Sequence, residues 1–240
     1  MQKLLVIEDD LIQAYFLTNT ICKEVPDVKL YNIALTGKEA INIIKEEIVD
    51  IIIMDLKLPD MTGIDILNYI SENNIVKYDS SIIVFTGEME LLSQVIGNKY
   101  VFDYCSKING MDFIITKIKK LLELKRKCYN ITLIKEKIKK ELENLKYNFS
   151  YLGTKYLCEC IYECYNKNKI YDINLNKDIY PIISKKYHKT ISSIKANIFQ
   201  ATSIMYYEIE EQILQEYFGY KVRSKPKTKD IITRVLQKLH

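Results

Sequence analysis

Residues 51–63 read IIIMDLKLPDMTG, an apolar run that leads straight into Asp55. A carboxylate buried in such a run is costly unless it is paired or bound to a metal. At the end of a strand it emerges at the edge of a sheet instead. Other reactive side chains follow similar runs: Glu8, Asp9 and Asp10 after KLLVI, Thr86 at the end of SIIVFT, and Lys107 at the end of YVFDYCSK. Clustered carboxylates bind hard divalent cations, and Mg²⁺ takes one or two of them, keeps waters and often bridges phosphate. Asp9 and Asp55 are the expected carboxylates, with Glu8 in support. A carboxylate beside bound Mg²⁺ can attack a phosphoryl group. Lys107 and the metal then neutralise the phosphoryl oxygens, and Thr86 donates a hydrogen bond. Singly, each residue has a plainer reading: a solvated lysine, a capping threonine, acids after strands. Their joint placement points to a phosphoryl site.

That placement needs strands spaced by helices. The first 125 residues alternate short apolar runs (KLLVI, VKLYNI, DIIIM, SIIVF, YVFDYC) with helix-like stretches such as GKEAINIIKEE and GIDILNYISEN. The alternation predicts βαβ units and a parallel sheet covered on both faces. Functional groups in such sheets collect beyond the carboxyl ends of the strands, where these residues fall. Residues 111–149 predict one long helix or two, with Ile131, Ile134, Ile138, Leu142, Leu145 and Phe149 at helical spacing. That stripe packs on its own domain or forms a short coiled coil. Beyond it, helices are predicted over about 153–167, 176–187, 192–208, 208–217 and 228–239, with His188, Lys189 and Thr190 in a turn of helix-turn-helix form.

Charge divides the 240 residues in the same way: net −6 over residues 1–125, +4 over 126–149 and +6 over 150–240. A basic C-terminal region suits nucleic acid or an acidic surface. The N-terminal apolar run is too short for a signal peptide, and no stretch is long enough to cross a membrane. The expectation is a cytoplasmic protein. The six cysteines include no CxxC pair. Cys160 and Cys164 share a helix face, so zinc is conceivable, but the two histidines, His188 and His240, are remote in sequence. Reduced, packing cysteines are the expectation.

LVIEDD, IIIMDLKLPDMTGIDIL, IIVFTG and DYCSK together resemble the receiver domain of bacterial two-component response regulators. The resemblance covers roughly residues 1–122. It implies a five-stranded, flavodoxin-like parallel α/β sheet and phosphorylation of Asp55 by a histidine kinase or phosphotransfer protein. Glu8 and Asp9 match the acidic pair, with Asp9 contacting the metal, and Lys57 offers its backbone carbonyl to Mg²⁺. Thr86 matches the switch hydroxyl, Tyr104 the switch aromatic and Lys107 the family's lysine, while Pro59 and Gly63 match the loop after the third strand. The chain departs from the family at Ile108, where proline is usual, and in IGNKYVFDY before the last lysine.

IYPIISKKYHKTISSIKANI and EYFGYKVRSKPKTKDIITRVLQKL resemble the DNA-binding domain of stage zero sporulation protein A. The expected organisation is therefore a receiver over 1–122, a helical linker over 123–149 and an all-α helix-turn-helix-type effector domain over 150–240. Ile194, Ile198, Ala201 and Met205 share one face of the second motif helix and should be core. The opposite face carries Ser192, Ala196, Phe199 and Ser203, with Ser193 and Gln200 beside it. The family places charged, base-reading side chains where Lys195, Ala196 and Phe199 align. A bidentate arginine–guanine pair is worth about 1–3 kcal/mol of discrimination, so the family's usual operator should be read poorly. On one reading, Ala196 and Phe199 meet thymine methyls and Gln200 reads adenine. Lys185, Lys186, Lys189, Lys195, Lys221, Arg223, Lys225 and Lys227 then hold phosphates. On the other, Phe199 packs on another helix or on a protein partner.

The functional expectation is a transcription regulator, not an enzyme, that dimerises on phosphorylation and binds DNA, with no membrane partner. The alternative is a response regulator whose C-terminal domain acts through protein contacts. A phosphatase-type hydrolase is the weaker third class, because such enzymes usually carry a second acid two residues past the nucleophile, where this chain has Lys57.

Overall fold

The computed structural model describes residues 1–73, 75, 80–168 and 174–239. It divides into two compact units, Met1–Arg126 and Lys127–His240.

In the first unit, strands β1 (Gln2–Ile7), β2 (Val28–Ala34), β3 (Ile51–Met54), β4 (Ser81–Thr86) and β5 (Val101–Ser106) form one sheet in the order β2-β1-β3-β4-β5. Its pairs are all parallel. Helices α1 (Leu11–Glu24), α2 (Gly37–Glu46), α3 (Gly63–Asn73) and α4 (Met89–Val95) connect the strands, and α5 (Met111–Asn144) follows β5. The strands are apolar at successive positions because both faces are covered. Leu4, Val6, Ile51, Ile53, Ile83 and Phe85 pack with Ala14, Leu17 and Ile21 of α1 and Ile114 and Ile118 of α5. The alternate residues Leu5, Ile7, Ile52, Met54, Ile82 and Val84 pack with α2, α3 and α4. Strand order reverses at β1, which pairs β2 on one side and β3 on the other. Ile7 is in register with Met54, so Glu8 and Asp55 leave the sheet side by side.

Local signals set the helix starts. Asp10 caps α1 by accepting from the Ile12 and Gln13 amides, and Thr36 caps α2 by accepting from Glu39. Gly63, which opens α3, has no substitute in this geometry: a Cβ there would lie 2.7 Å from the Asp55 carbonyl oxygen.

The second unit is helical. Its core joins Ile138 and Leu142 of α5, and Leu145 just past its end, with α6 (Leu152–Asn166), α7 (Tyr180–Tyr187), α8 (Ile191–Glu208), α9 (Glu211–Phe218) and α10 (Thr228–Leu239). Residues 111–144 are thus one helix, and the part of its apolar stripe from Ile138 onward is buried within this unit. The helix predicted over 176–187 is in two parts: a π-helical turn, Leu175–Ile179, precedes α7. Pro181 sits in the first turn of α7, where its missing N–H has no intrahelical partner to lose. α7 ends at His188 in the left-handed conformation (φ 51°), and Thr190 caps α8 through the Ser193 amide. Across this turn the Ser184 hydroxyl donates to the Lys189 carbonyl at 2.6 Å. α6 packs on α8 through Gly153, where a Cβ would stand 2.0 Å from the Asn197 carbonyl oxygen.

Cys158, Cys160 and Cys164 are buried in the α6 core. Burial pushes the Cys164 thiol up to about 12 and the Cys158 thiol to about 11, which suits packing thiols rather than thiolate ligands. His240 lies outside the described residues. Among those residues, no helix is long and apolar enough to cross a membrane.

Candidate functional site

Asp55 stands one residue past β3 and is buried, with 6% of its surface exposed. Both carboxylate oxygens are engaged. Oδ1 accepts from the Thr86 hydroxyl at 2.6 Å and from the backbone amides of Leu56 and Lys57 at 2.6 and 3.3 Å. Oδ2 accepts from Lys107 Nζ at 2.5 Å. Lys107 Nζ also lies 2.7 Å from Glu8 Oε2 and 3.4 Å from Gln13 Oε1. Groups separated by 31 and 52 residues from Asp55 therefore converge on it, because the parallel topology puts the carboxyl ends of β1, β3, β4 and β5 at one edge.

Thr86 links the site to the next loop. Its hydroxyl donates to Asp55 and accepts from the Glu88 amide at 3.1 Å. Tyr104 pairs in register with Val84 on the neighbouring strand and is exposed; it makes no side-chain hydrogen bond to Asp55. Lys57 extends into solvent, where its Nζ lies 3.4 Å from Glu88. Lys107 opens a short 3₁₀ turn, Lys107–Asn109, in which Ser106 Oγ accepts from the Ile108 amide at 3.2 Å. Proline, usual at this position in the resembling family, has no N–H for that bond. The turn is held here by Ser106 instead, and Lys107 still reaches both carboxylates.

Glu8, Asp9 and Asp55 each bring a carboxylate oxygen within 4.8 Å of the others. Three carboxylates and one ammonium leave the cluster with a formal charge of −2. Burial pushes the Glu8 carboxyl up against the opposing pull of Lys107, and the Asp55 and Asp9 charges add to the rise. Burial also pulls on Lys107, but its hydrogen bonds to Asp55 and Glu8 outweigh that and hold the ammonium above its ordinary range. An oxygen-only, doubly negative donor set with Asp9 open to solvent fits a hard divalent cation that retains waters.

Sequence reasoning passed over Gln13, Ser106 and Glu159. Gln13 sits one helical turn from Asp10 and holds it through Nε2 at 3.0 Å while contacting Lys107. Glu159 lies in the stretch YLCECIYECY, whose two acids, Glu159 and Glu163, stand among apolar residues, and an acid on such a helix was the available signal. It accepts from Lys135 at 2.7 Å and from Lys186 at 2.6 Å.

In the second unit, Ile194, Ile198, Ala201 and Met205 are buried, as their spacing predicts. Ser192, Lys195, Ala196, Phe199 and Gln200 are exposed, while Ser193 and Ser203 are half-buried. Phe199 does not pack under another helix of this chain. Lys185 and Lys189 are exposed on the turn side of α7. Lys186 is occupied by Glu159, and Lys195 Nζ bonds Asn176 Oδ1 at 3.0 Å. Lys225 Nζ lies 3.2 Å from the centroid of the Phe199 ring and donates to Ser203 Oγ at 2.8 Å.

Comparison with known proteins adds a family to each unit. Residues 4–119 match the response regulator receiver domain, and residues 138–239 match the C-terminal domain of the sporulation initiation factor Spo0A. Both are regulatory rather than catalytic families. Over 43 residues the chain is 46% identical to the regulatory protein LuxO of Vibrio vulnificus. That stretch is 18% of this chain and spans about a tenth, 10%, of LuxO. Among solved structures, the receiver domain of the Francisella response regulator 1452 is 25% identical, with 52% of this chain and 99% of that one covered and a TM-score of 0.45. The response regulator TrrA of Thermotoga maritima, solved in complex with Mg²⁺-BeF, is 24% identical over 50% of this chain and 99% of that one, with a TM-score of 0.44.

Proposed function

From the premise that this chain joins a response regulator receiver domain to a Spo0A-type C-terminal domain, we propose that it is a transcription regulator switched by phosphorylation of Asp55. The observation that carries the reading is the Asp55 carboxylate itself. It is held from both sides by Thr86 and Lys107 beside two further acids. The phosphoryl donor is a histidine kinase or phosphotransfer protein.

A carboxylate oxygen of Asp55 attacks the phosphorus of a phosphohistidine. The O–P bond forms as the P–N bond breaks, and its electron pair leaves with the imidazole nitrogen. Glu8, Asp9, Asp55 and the Lys57 carbonyl would hold a Mg²⁺ ion, which would supply charge neutralisation at the site. Lys107 gives up part of its pairing with Asp55 and meets a phosphoryl oxygen instead. The Thr86 hydroxyl turns its donated hydrogen bond to the new group, and the Glu88 amide bonded to Thr86 carries that change into the β4–α4 loop. Tyr104, exposed on β5, follows the space that Thr86 leaves. The modification adds about two negative charges at most and three acceptor oxygens, and the phosphorylated chain pairs as a homodimer.

The boundary between receiver and output falls within α5 in this reading. The output unit then binds DNA, with the exposed Lys185 and Lys189 among its phosphate contacts. Asp55→Asn tests the proposal. A phosphodonor should raise DNA affinity and dimer content for the wild type and change neither for the variant. An Asp55→Asn protein that responds like the wild type sinks the switch.

A second reading has the C-terminal unit acting through protein contacts. What favours it is the face of α8 bearing Ser192, Ala196, Phe199 and Ser203, which offers no charged side chain to a base edge. A DNA titration against salt separates the two, since an absence of binding even at low salt supports the protein-contact reading.

A further inference from the structure

The outward face of α8 presents Ser192, Ala196 and Phe199, and the Phe199 ring is 62% exposed. The ring is nevertheless held. The Lys225 ammonium sits 3.2 Å from its centroid and is itself anchored to Ser203 Oγ at 2.8 Å. Pro226, the next residue, is buried. One ring face is therefore capped by a cation, and the rest of the ring stands free in a fixed orientation. The surroundings are basic: α8 carries no acid before Glu208, and Lys195, Arg223 and Lys227 are exposed nearby in sequence to the helix or to Lys225.

We propose that Phe199 reads a thymine 5-methyl group in the DNA major groove, with Ala196 against a neighbouring base pair and Lys225 as a positioning residue for the ring. The inference rests on the DNA-binding reading above and names what that surface reads. Phenylalanine offers no donor or acceptor, so its contact with a base edge must be apolar, and the apolar group on the major-groove edge is the thymine methyl. Ala196 and Phe199 are separated by about 4.5 Å along the helix axis. At that spacing both side chains can reach base edges from one helix lying in the major groove. A greasy protein partner would have to bury the Lys225 ammonium without a counter-charge, which is costly. A duplex brings phosphates to it. Because the ring is already oriented by Lys225, little side-chain entropy is lost on contact.

The test uses the full chain, treated with acetyl phosphate and Mg²⁺, and duplexes recovered by binding selection from a randomised pool. Each recovered duplex is remade with deoxyuridine in place of thymidine, which removes only the 5-methyl groups. Wild-type protein should lose about fourfold in affinity for each contacted methyl, the factor expected for one buried methyl-sized group. Phe199→Ala should bind the two forms equally at that position, and Phe199→Leu should keep a preference for thymidine. Because Phe199 is exposed, the variants should keep the wild-type circular dichroism. Equal wild-type affinity for both forms, or an undiminished thymidine preference in Phe199→Ala, overturns the inference while DNA binding stands. Failure to recover any duplex removes the inference together with the DNA-binding reading.

Discussion

Asp55, Glu8 and Lys107 form a cluster whose charges depend on one another. Lys107 is the cation within hydrogen-bond reach of two buried carboxylates, with its Nζ 2.7 Å from Glu8 and 2.5 Å from Asp55. Its removal leaves both acids uncompensated at the sheet edge. Lys107→Ala should therefore lower unfolding free energy by about 3 kcal/mol, as when one partner of a buried pair is deleted. Urea denaturation measures this, and Mg²⁺ should restore more stability to the variant than it adds to the wild type. If Mg²⁺ stabilises neither protein, the three carboxylates do not form a cation site. At this scale much of the site was legible, because acids, a hydroxyl and an amine each closed an apolar run. Gln13 was not, since nothing in its sequence context marks a residue one turn into α1 as a neighbour of Lys107, 94 positions away.

The elements of the second unit are fitted to one another by small details. Gly153 lets α6 lie against the backbone of α8, and its nearest atom there is the Asn197 carbonyl oxygen. The obstacle to a larger residue is backbone, which cannot rotate away. Gly153→Ala should cost about 3 kcal/mol, at the upper end of what overpacking usually costs. It should shift the unfolding of the helical unit and leave the receiver transition in place; an unchanged helical transition would show that α6 and α8 can separate freely. Glu159 clamps α6 to α5 and α7 through Lys135 and Lys186. Burial pushes its carboxyl up, but the two lysine hydrogen bonds prevail and hold it below the ordinary value of 4.5. A lowered folded-state value means the stabilisation is fully present above the unfolded value and is lost as pH falls through the folded one. Stability measured from neutral pH down to about pH 3 should thus fall less steeply for Glu159→Gln than for wild type. Identical slopes would mean the clamp does not contribute. The same ion pair holds Lys186 within the fold, which a count of lysines along α7 does not reveal.

At the scale of the whole chain, charge separates the two roles. The first 125 residues carry a net −6 and residues 150–240 a net +6, so on the proposed reading phosphorylation adds negative charge to the acidic part while the basic part meets DNA. Binding should weaken with salt, with log K falling by about 0.9 per decade of salt for each phosphate neutralised. Lys185→Ala and Lys189→Ala should each flatten that slope by about one contact, whereas Lys186→Ala should act mainly on stability. Fluorescence anisotropy across a salt series reads all three, and equal effects of the three substitutions on the slope would contradict the assignment of Lys186 to Glu159.

The sequence alone determined the alternation of strand and helix, the parallel sheet and the identity of the acids, threonine and lysine at its edge. These follow from local periodicity and from the rule that strands of one parallel sheet end on one side. It also placed Ile194, Ile198, Ala201 and Met205 on the inner face of α8, because helical spacing needs no partner to be read. Only the tertiary structure decided what each outward or ambiguous side chain meets. It put Ile138 and Leu142 in the core of their own unit, tied Lys186 to Glu159, let Ser106 hold the turn at Ile108, and left Phe199 exposed beneath Lys225. Each of those outcomes depends on residues brought together from separate elements, and periodicity within one element carries no information about its neighbour.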